Sequence, residues 1–256
     1  MPSHHLEADP QTLASVCGLL QQLHTLMGEV GSQDPVRPRI ELAEVAPQVQ
    51  ALINQSLGHG EVSILVREPV AFRIQESIFA GIWRVQELST GGEVVRDFIE
   101  AGGIPQVVPQ SAEFAASFSA QPIPLPSGIM NSPAVLNELL DRSRNFSVGQ
   151  ATHVLNLSLL PMSPEDLDYL AQSLGAGSVT VLSRGYGNCR ITSTGLRHVW
   201  WVQYFNSMDQ IILNTLEVTD VPEVAQAAAE DYADSIERLG EWLAVMFAED
   251  KEEDPA

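Results

Sequence analysis

Leu174-Gly175-Ala176-Gly177-Ser178-Val179-Thr180-Val181-Leu182-Ser183-Arg184 is a variation on an earlier stretch, Leu57-Gly58-His59-Gly60-Glu61-Val62-Ser63-Ile64-Leu65-Val66-Arg67. The positions differ by 117 (174 − 57), and that shift holds without a gap through the residues that follow. Arg73-Ile74 falls on Arg190-Ile191, Trp83 on Trp200, Val85-Gln86 on Val202-Gln203, Glu100 on Glu217 and Pro105 on Pro222. Upstream, Gln55-Ser56 falls on Gln172-Ser173 and Pro47 on Pro164. About a quarter of the aligned positions are identical. A register held that long reads as an internal duplication. The unit is much longer than a solenoid repeat, so the copies are two half-domains or two small domains.

Each copy predicts the same order of elements. In the first, Asp9 caps a helix opened by Pro10, and Leu13, Val16, Leu20, Leu23 and Met27 recur at helical spacing before Gly28 and Gly31. A short strand over 37–42 and a second helix from Pro47 to Leu57 follow. Strands are then predicted at 61–67, 71–77, 81–88 and 94–100. Their connections are too short for parallel crossovers, so they form an antiparallel meander. In the second copy a helix starts at Asn131-Ser132-Pro133, and 152–160 reads as a strand with Leu155, Leu157 and Leu159 on one face. Ser163-Pro164-Glu165 caps and opens the next helix. The second meander uses 178–184, 189–194, 197–205 and 210–217. A last helix over 222–247 carries Ala225, Ala228, Tyr232, Ile236, Leu239, Leu243 and Met246 as an apolar stripe.

The expected fold is therefore α+β and internally duplicated, two similar halves each with an antiparallel meander packed by helices. Residues 1–120 form the first half and 131–250 the second. Between them lies a Pro-rich linker, 121–130, preceded by a short helix over 111–119; residues 251–256 are an acidic tail.

Composition bounds the function. The 256 residues are 45% hydrophobic with mean hydropathy +0.03, enough for a real core and incompatible with global disorder. No apolar run reaches the roughly 18 residues a membrane helix needs. Met1-Pro2-Ser3-His4-His5 does not begin a secretory signal, so a cytoplasmic protein without membrane insertion is expected. A net charge of −20, with Lys251 the sole lysine, repels nucleic acid and favours solubility or basic partners. Cys17 and Cys189 fall opposite Ala134 and Phe72, so neither belongs to a repeated ligand pattern. The histidines lack ligand spacing, and neither a metal nor another cofactor is expected.

The copies serve as controls for each other. Trp83 and Trp200, present in both, are expected in the core. Arg67/Arg184, Arg73/Arg190 and Glu100/Glu217 read as structural polar positions, with their ion pairing open. The second copy alone has Gly185-Tyr186-Gly187-Asn188-Cys189, a hairpin turn displaying a tyrosine, where the first has Glu68-Pro69-Val70-Ala71-Phe72. It is not a phosphate loop, since no helix start or Lys-Ser/Thr follows. Trp201 replaces Arg84 on the face opposite Trp200. An aromatic there fits a contact surface or burial under the last helix, and no compensating substitution is visible. Cys189 with His198 or His153 would make a thiol–imidazole pair, but nothing in the sequence brings them together. The reading is non-enzymatic, with Tyr186, Asn188, Cys189, Trp201, Tyr204 and Asn206 as partner-binding residues.

Four strings carry a family resemblance: 156–164 (Asn156-Leu157-Ser158-Leu159-Leu160-Pro161-Met162-Ser163-Pro164), 182–191 through Gly185-Tyr186-Gly187-Asn188, 199–206 through Trp200-Trp201, and 212–217. Together they resemble the HupH/HyaF family of hydrogenase expression proteins in its C-terminal conserved region, over the second copy and more weakly the first. The resemblance implies a non-catalytic accessory chaperone in maturation of a membrane-bound uptake [NiFe] hydrogenase. Its implied partner is the iron–sulfur small subunit before assembly and export, with the subunit's basic twin-arginine signal region as a candidate contact. A thioredoxin-like accessory protein is an implied companion. The alternatives are a thiol-dependent enzyme using Cys189 and a scaffold for other maturation factors.

Overall fold

The paired stretches fold alike because of where their glycines sit. Helices α2 (Pro47–Leu57) and α5 (Pro164–Leu174) end at Gly58 and Gly175, whose φ angles of 57° and 63° suit glycine. Two residues on, the backbone passes very close to a strand. A Cβ on Gly60 would lie 2.2 Å from the Ser77 carbonyl oxygen, and one on Gly177 would lie 2.7 Å from that of Thr194. Ser77 and Thr194 are themselves related by the 117-residue shift (194 − 77). The computed structural model describes residues 9–114, 127–185 and 187–252, the last six of these as backbone only.

The meanders follow. The first is β2 (Val62–Val66), β3 (Ala71–Glu76), β4 (Ile82–Leu88) and β5 (Val94–Ala101). The second is β7 (Ala176–Ser183), β8 (Asn188–Thr194), β9 (Val199–Phe205) and β10 (Ile211–Val218). Their last hairpins share one register: Trp83 faces Glu100 and Gln86 faces Asp97, while Trp200 faces Glu217 and Gln203 faces Asn214. Even the irregularity repeats. Leu88 pairs with Val94 and Glu87 with Arg96, leaving Val95 as a bulge; Phe205 pairs with Ile211 and Tyr204 with Leu213, leaving Ile212 as the same bulge. Trp83 and Trp200 are 0% and 1% exposed, and their indole nitrogens donate to the carbonyls of Gly102 (2.9 Å) and Asp220 (3.0 Å).

The chain forms two compact units whose limits differ from those of the copies. One comprises Met1–Glu61, Ile74–Pro105 and Ala227–Ala256; the other comprises Val62–Arg73 and Gln106–Gln226. In the first unit, β1 (Arg39–Glu41), β5, β4 and the Ile74–Glu76 end of β3 are neighbours in that order. Helices α1 (Pro10–Glu29), α2 and α6 (Ala229–Glu252) close on this sheet around Leu20, Leu23, Met27, Ile53, Ile99 and Leu239. Asp9 caps α1 as expected, accepting from the Thr12 amide at 3.0 Å.

In the second unit the strand order is β2-β7-β8-β9-β10-β6, with β6 at His153–Asn156. Helices α4 (Ser132–Asn145) and α5 bury Leu139, Leu157, Leu170, Leu174, Val199 and Leu216 on one face, and α3 (Val107–Phe114) packs against β7. Asp166 joins the starts of α4 and α5. Its wholly buried carboxylate accepts from the amides of Met130, Asn131 and Ser132, the Ser132 hydroxyl and the Ser163 amide, all within 3.1 Å.

Three expected elements change. The strand over 152–160 stops at Asn156, because the Asn156 side chain accepts the Ser158 amide and turns the chain; Leu159 is left 81% exposed. The last helix does not start at Pro222, where a single 3-10 turn (Glu223–Ala225) intervenes before α6 begins at Ala229. Of the short helix expected over 111–119, residues 111–114 belong to α3, which starts earlier, and 115–119 lie outside the described residues. Residues 121–126 of the expected linker and 253–256 of the acidic tail lie outside the described residues. Among the described residues no helix is long and apolar enough to cross a membrane.

Candidate partner-binding site

The β7–β8 and β9–β10 turns lie side by side at one end of the second unit, because Asn188 pairs with Phe205 and Phe205 with Ile211. The Asn206 side chain shapes the second turn, accepting the amides of Met208 and Gln210 at 2.9 and 3.0 Å. Met208, Ile211 and Ile212 stand exposed there. Between the turns is a groove of about 470 Å³ lined by Leu182, Arg184, Asn188, Cys189, Arg190 and Phe205, with Asp209 also on its wall.

Cys189 and Tyr204 face each other across the strands on the side opposite Trp201. Cys189 is 4% exposed, and burial pushes its thiol up to about 11 despite a hydrogen bond from Tyr204; the Glu217 carboxylate adds to the rise. Burial and the neighbouring thiol push Tyr204 up to about 12. A thiol in such surroundings is held protonated and is a poor nucleophile. Neither histidine reaches it. His198 sits in the turn at the far end of the β8–β9 hairpin, its ring 4.8 Å from that of Phe146, while His153 pairs with Glu138 at 2.8 Å.

Trp201 is half-buried and packs on the α4/α5 side of the sheet. Its indole nitrogen donates to the Asn214 side-chain oxygen at 2.5 Å. In the first copy the matching residues are Arg84 and Asp97, a bidentate ion pair at 3.0 and 2.6 Å, and Arg84 also reaches Asn54 on α2. Asn54 corresponds to Ala171, which lines a hollow of about 290 Å³ together with Trp201. The expectation that no substitution compensates Trp201 is thus corrected: Asn214 and Ala171 do so, one by matching the donor and the other by making room.

The six expected residues therefore divide. Asn188 and Asn206 belong to the turns, Cys189 and Tyr204 lie behind them, and Trp201 occupies the opposite face. Tyr186 lies outside the described residues. Arg67, Arg73, Arg184 and Arg190 are all exposed, and Glu100 is bonded to Arg39 at 2.5 Å. Glu217 faces Val154 where Glu100 faces Arg39, and its carboxyl is pushed above the ordinary range, chiefly by burial. Ile211 and Ile212 were missed, although their alignment with Val94 and Val95 was a readable signal: an aliphatic pair kept beside a turn in both copies. Among the described residues no group of three or more His, Cys, Asp or Glu side chains is placed to hold a metal.

The family model described as "HupH hydrogenase expression protein, C-terminal conserved region" matches this chain twice, over residues 14–120 and 129–246. The chain is 44% identical over 238 residues to "Hydrogenase expression/formation protein HoxQ" of Cupriavidus necator, covering 92% of this chain and 84% of that protein. It is 48% identical over 205 residues to "Hydrogenase expression/formation protein HupH" of Rhodobacter capsulatus, covering 79% and 72%. To "Hydrogenase-1 operon protein HyaF" of Escherichia coli it is 34% identical over 242 residues, covering 92% and 82%. A solved structure, "Hydrogenase expression protein HupH from Thiobacillus denitrificans", matches 44% of this chain and 95% of its own at 27% identity, with a TM-score of 0.42. With both copies matched by one family model and relatives aligned over most of their length, the chain belongs to the HupH family of hydrogenase expression proteins.

Proposed function

We propose that this chain is an accessory chaperone in the maturation of a membrane-bound uptake [NiFe] hydrogenase. It acts in the cytoplasm and binds the iron–sulfur small subunit before assembly and export. The observation that carries the reading is the similarity, over most of the chain, to proteins named for hydrogenase expression and formation. The buried, protonated Cys189 favours a binding role over the thiol-enzyme alternative. The partner face is the turn end of the second unit, with Asn188 and Asn206 in the turns, Cys189 and Tyr204 behind them and Trp201 on the opposite face of the sheet; Tyr186 is included from its sequence alone.

Co-purification of the tagged chain with the small subunit, with and without its twin-arginine signal, tests this. A stoichiometric complex is expected in cells lacking the large subunit. Capture of other maturation factors with no small subunit would replace the chaperone by a scaffold. A Cys189→Ser variant should mostly retain maturation, and loss of maturation with both the fold and small-subunit capture intact would favour a thiol enzyme.

A further inference from the structure

We propose that the groove between the β7–β8 and β9–β10 turns binds an extended acidic segment of the partner protein, with Arg184 and Arg190 holding its carboxylates. This rests on the reading of that end as the partner face and adds the chemistry of its occupant.

Charge complementarity selects the occupant. The chain carries 33 acidic and 13 basic residues, so carboxylates to neutralise an arginine are abundant. Yet among the described residues neither Arg184 nor Arg190 has an ion-pair partner, although Asp209 lies on the same groove wall. Both arginines are exposed, so packing does not require them, and the other copy keeps arginine at both positions (Arg67 and Arg73), also exposed. Two exposed arginines without an ion-pair partner beside one groove of a strongly acidic chain are open to a ligand from outside the fold. Arg190 is partly fixed for that task, its guanidinium lying 5.5 Å from the centre of the Phe205 ring.

The groove also limits the occupant's shape. At about 470 Å³ it admits a few side chains and not a folded domain. Beside it the bulge turns Ile212 outward, and Met208, Ile211 and Ile212 are 72%, 49% and 62% exposed. An extended segment alternating acidic and aliphatic residues would place carboxylates on the arginines and methyl groups on this shelf. A basic export signal has the wrong sign here, so the groove reads a different part of the partner.

The test is fluorescence anisotropy of the full chain with a labelled nonapeptide of alternating glutamate and leucine, and with its lysine–leucine counterpart. The acidic peptide should bind, weaken with added salt, and lose about tenfold or more in affinity when Arg184→Gln and Arg190→Gln are combined. Because both side chains are exposed, the thermal midpoint of that variant should stay within a few degrees of the parent. Absence of binding, equal binding by the variant, or tighter binding of the basic peptide overturns the proposal. Small-subunit capture separates the two readings. Capture unchanged in the double variant overturns the groove's assignment alone. Peptide binding without any capture by the parent chain supports the groove's chemistry and sinks the small-subunit reading.

Discussion

Asp166 shows how a residue unique to one copy can be wholly structural. Burial raises its pKa, but the amides of Ser132 and Met130, the Ser132 hydroxyl and the Ser163 amide outweigh that and hold it below the ordinary 3.8. A depressed carboxylate contributes stability above its unfolded pKa and loses it as the pH falls toward the folded one. Asp166→Asn should therefore cost about 2 kcal/mol or more at pH 7, with the deficit shrinking below about pH 4. Urea unfolding at pH 7 and pH 3 checks this; an equal deficit at both would contradict it. Trp201 makes a related point. Trp201→Arg alone should destabilise the second unit, since it puts a guanidinium beside an apolar cluster without a carboxylate. Adding Asn214→Asp and Ala171→Asn, the first copy's residues, should recover about 1 kcal/mol or more beyond additivity. Strict additivity in unfolding experiments would show that the three positions are not one unit. Backbone strain was legible by the same comparison: His198 and Asp209, at φ 60° and 56°, align with Gly81 and Gly92, at 79° and 82°. Glycine in one copy marks a left-handed backbone in the other.

The elements were legible where local chemistry decides them. Pro47 and Pro164 open helices, Gly58 and Gly175 close them, and the meander strands fall where the alternating pattern puts them. The errors came where side chains capture the backbone. Nothing in the apolar alternation of 152–160 reveals that Asn156 turns the chain, and nothing in the stripe of the last helix announces the break before Ala229. The glycine pair gives the sharpest test at this scale. Gly177→Ala brings a methyl to 2.3 Å from the Ser193 hydroxyl oxygen and 2.7 Å from the Thr194 carbonyl oxygen. It should cost about 1–3 kcal/mol, and Gly60→Ala, 2.2 Å from the Ser77 carbonyl oxygen, should cost a similar amount. Thermal unfolding of the two variants reads this directly, and a neutral result at both would mean the repeated close approach is not required.

For the whole molecule, the duplication was legible because its register is gap-free from Pro47 to Pro105 against Pro164 to Pro222. The compact units were not, because α6 belongs by its contacts to the first unit although it follows the second copy in sequence. The candidate site was half legible. Its turns stand out as one copy's departures from the other, while its arginines were hidden by being common to both. The central claim is that the partner binds the turn end of the second unit, and hydrogen–deuterium exchange of the chain with and without the hydrogenase small subunit tests it most directly. Slowed exchange is predicted over 182–190 and 205–213, with little change over the matching 65–73 and 88–96. Protection confined to the first copy's turns or to α6, with 182–190 and 205–213 unaltered, would contradict it.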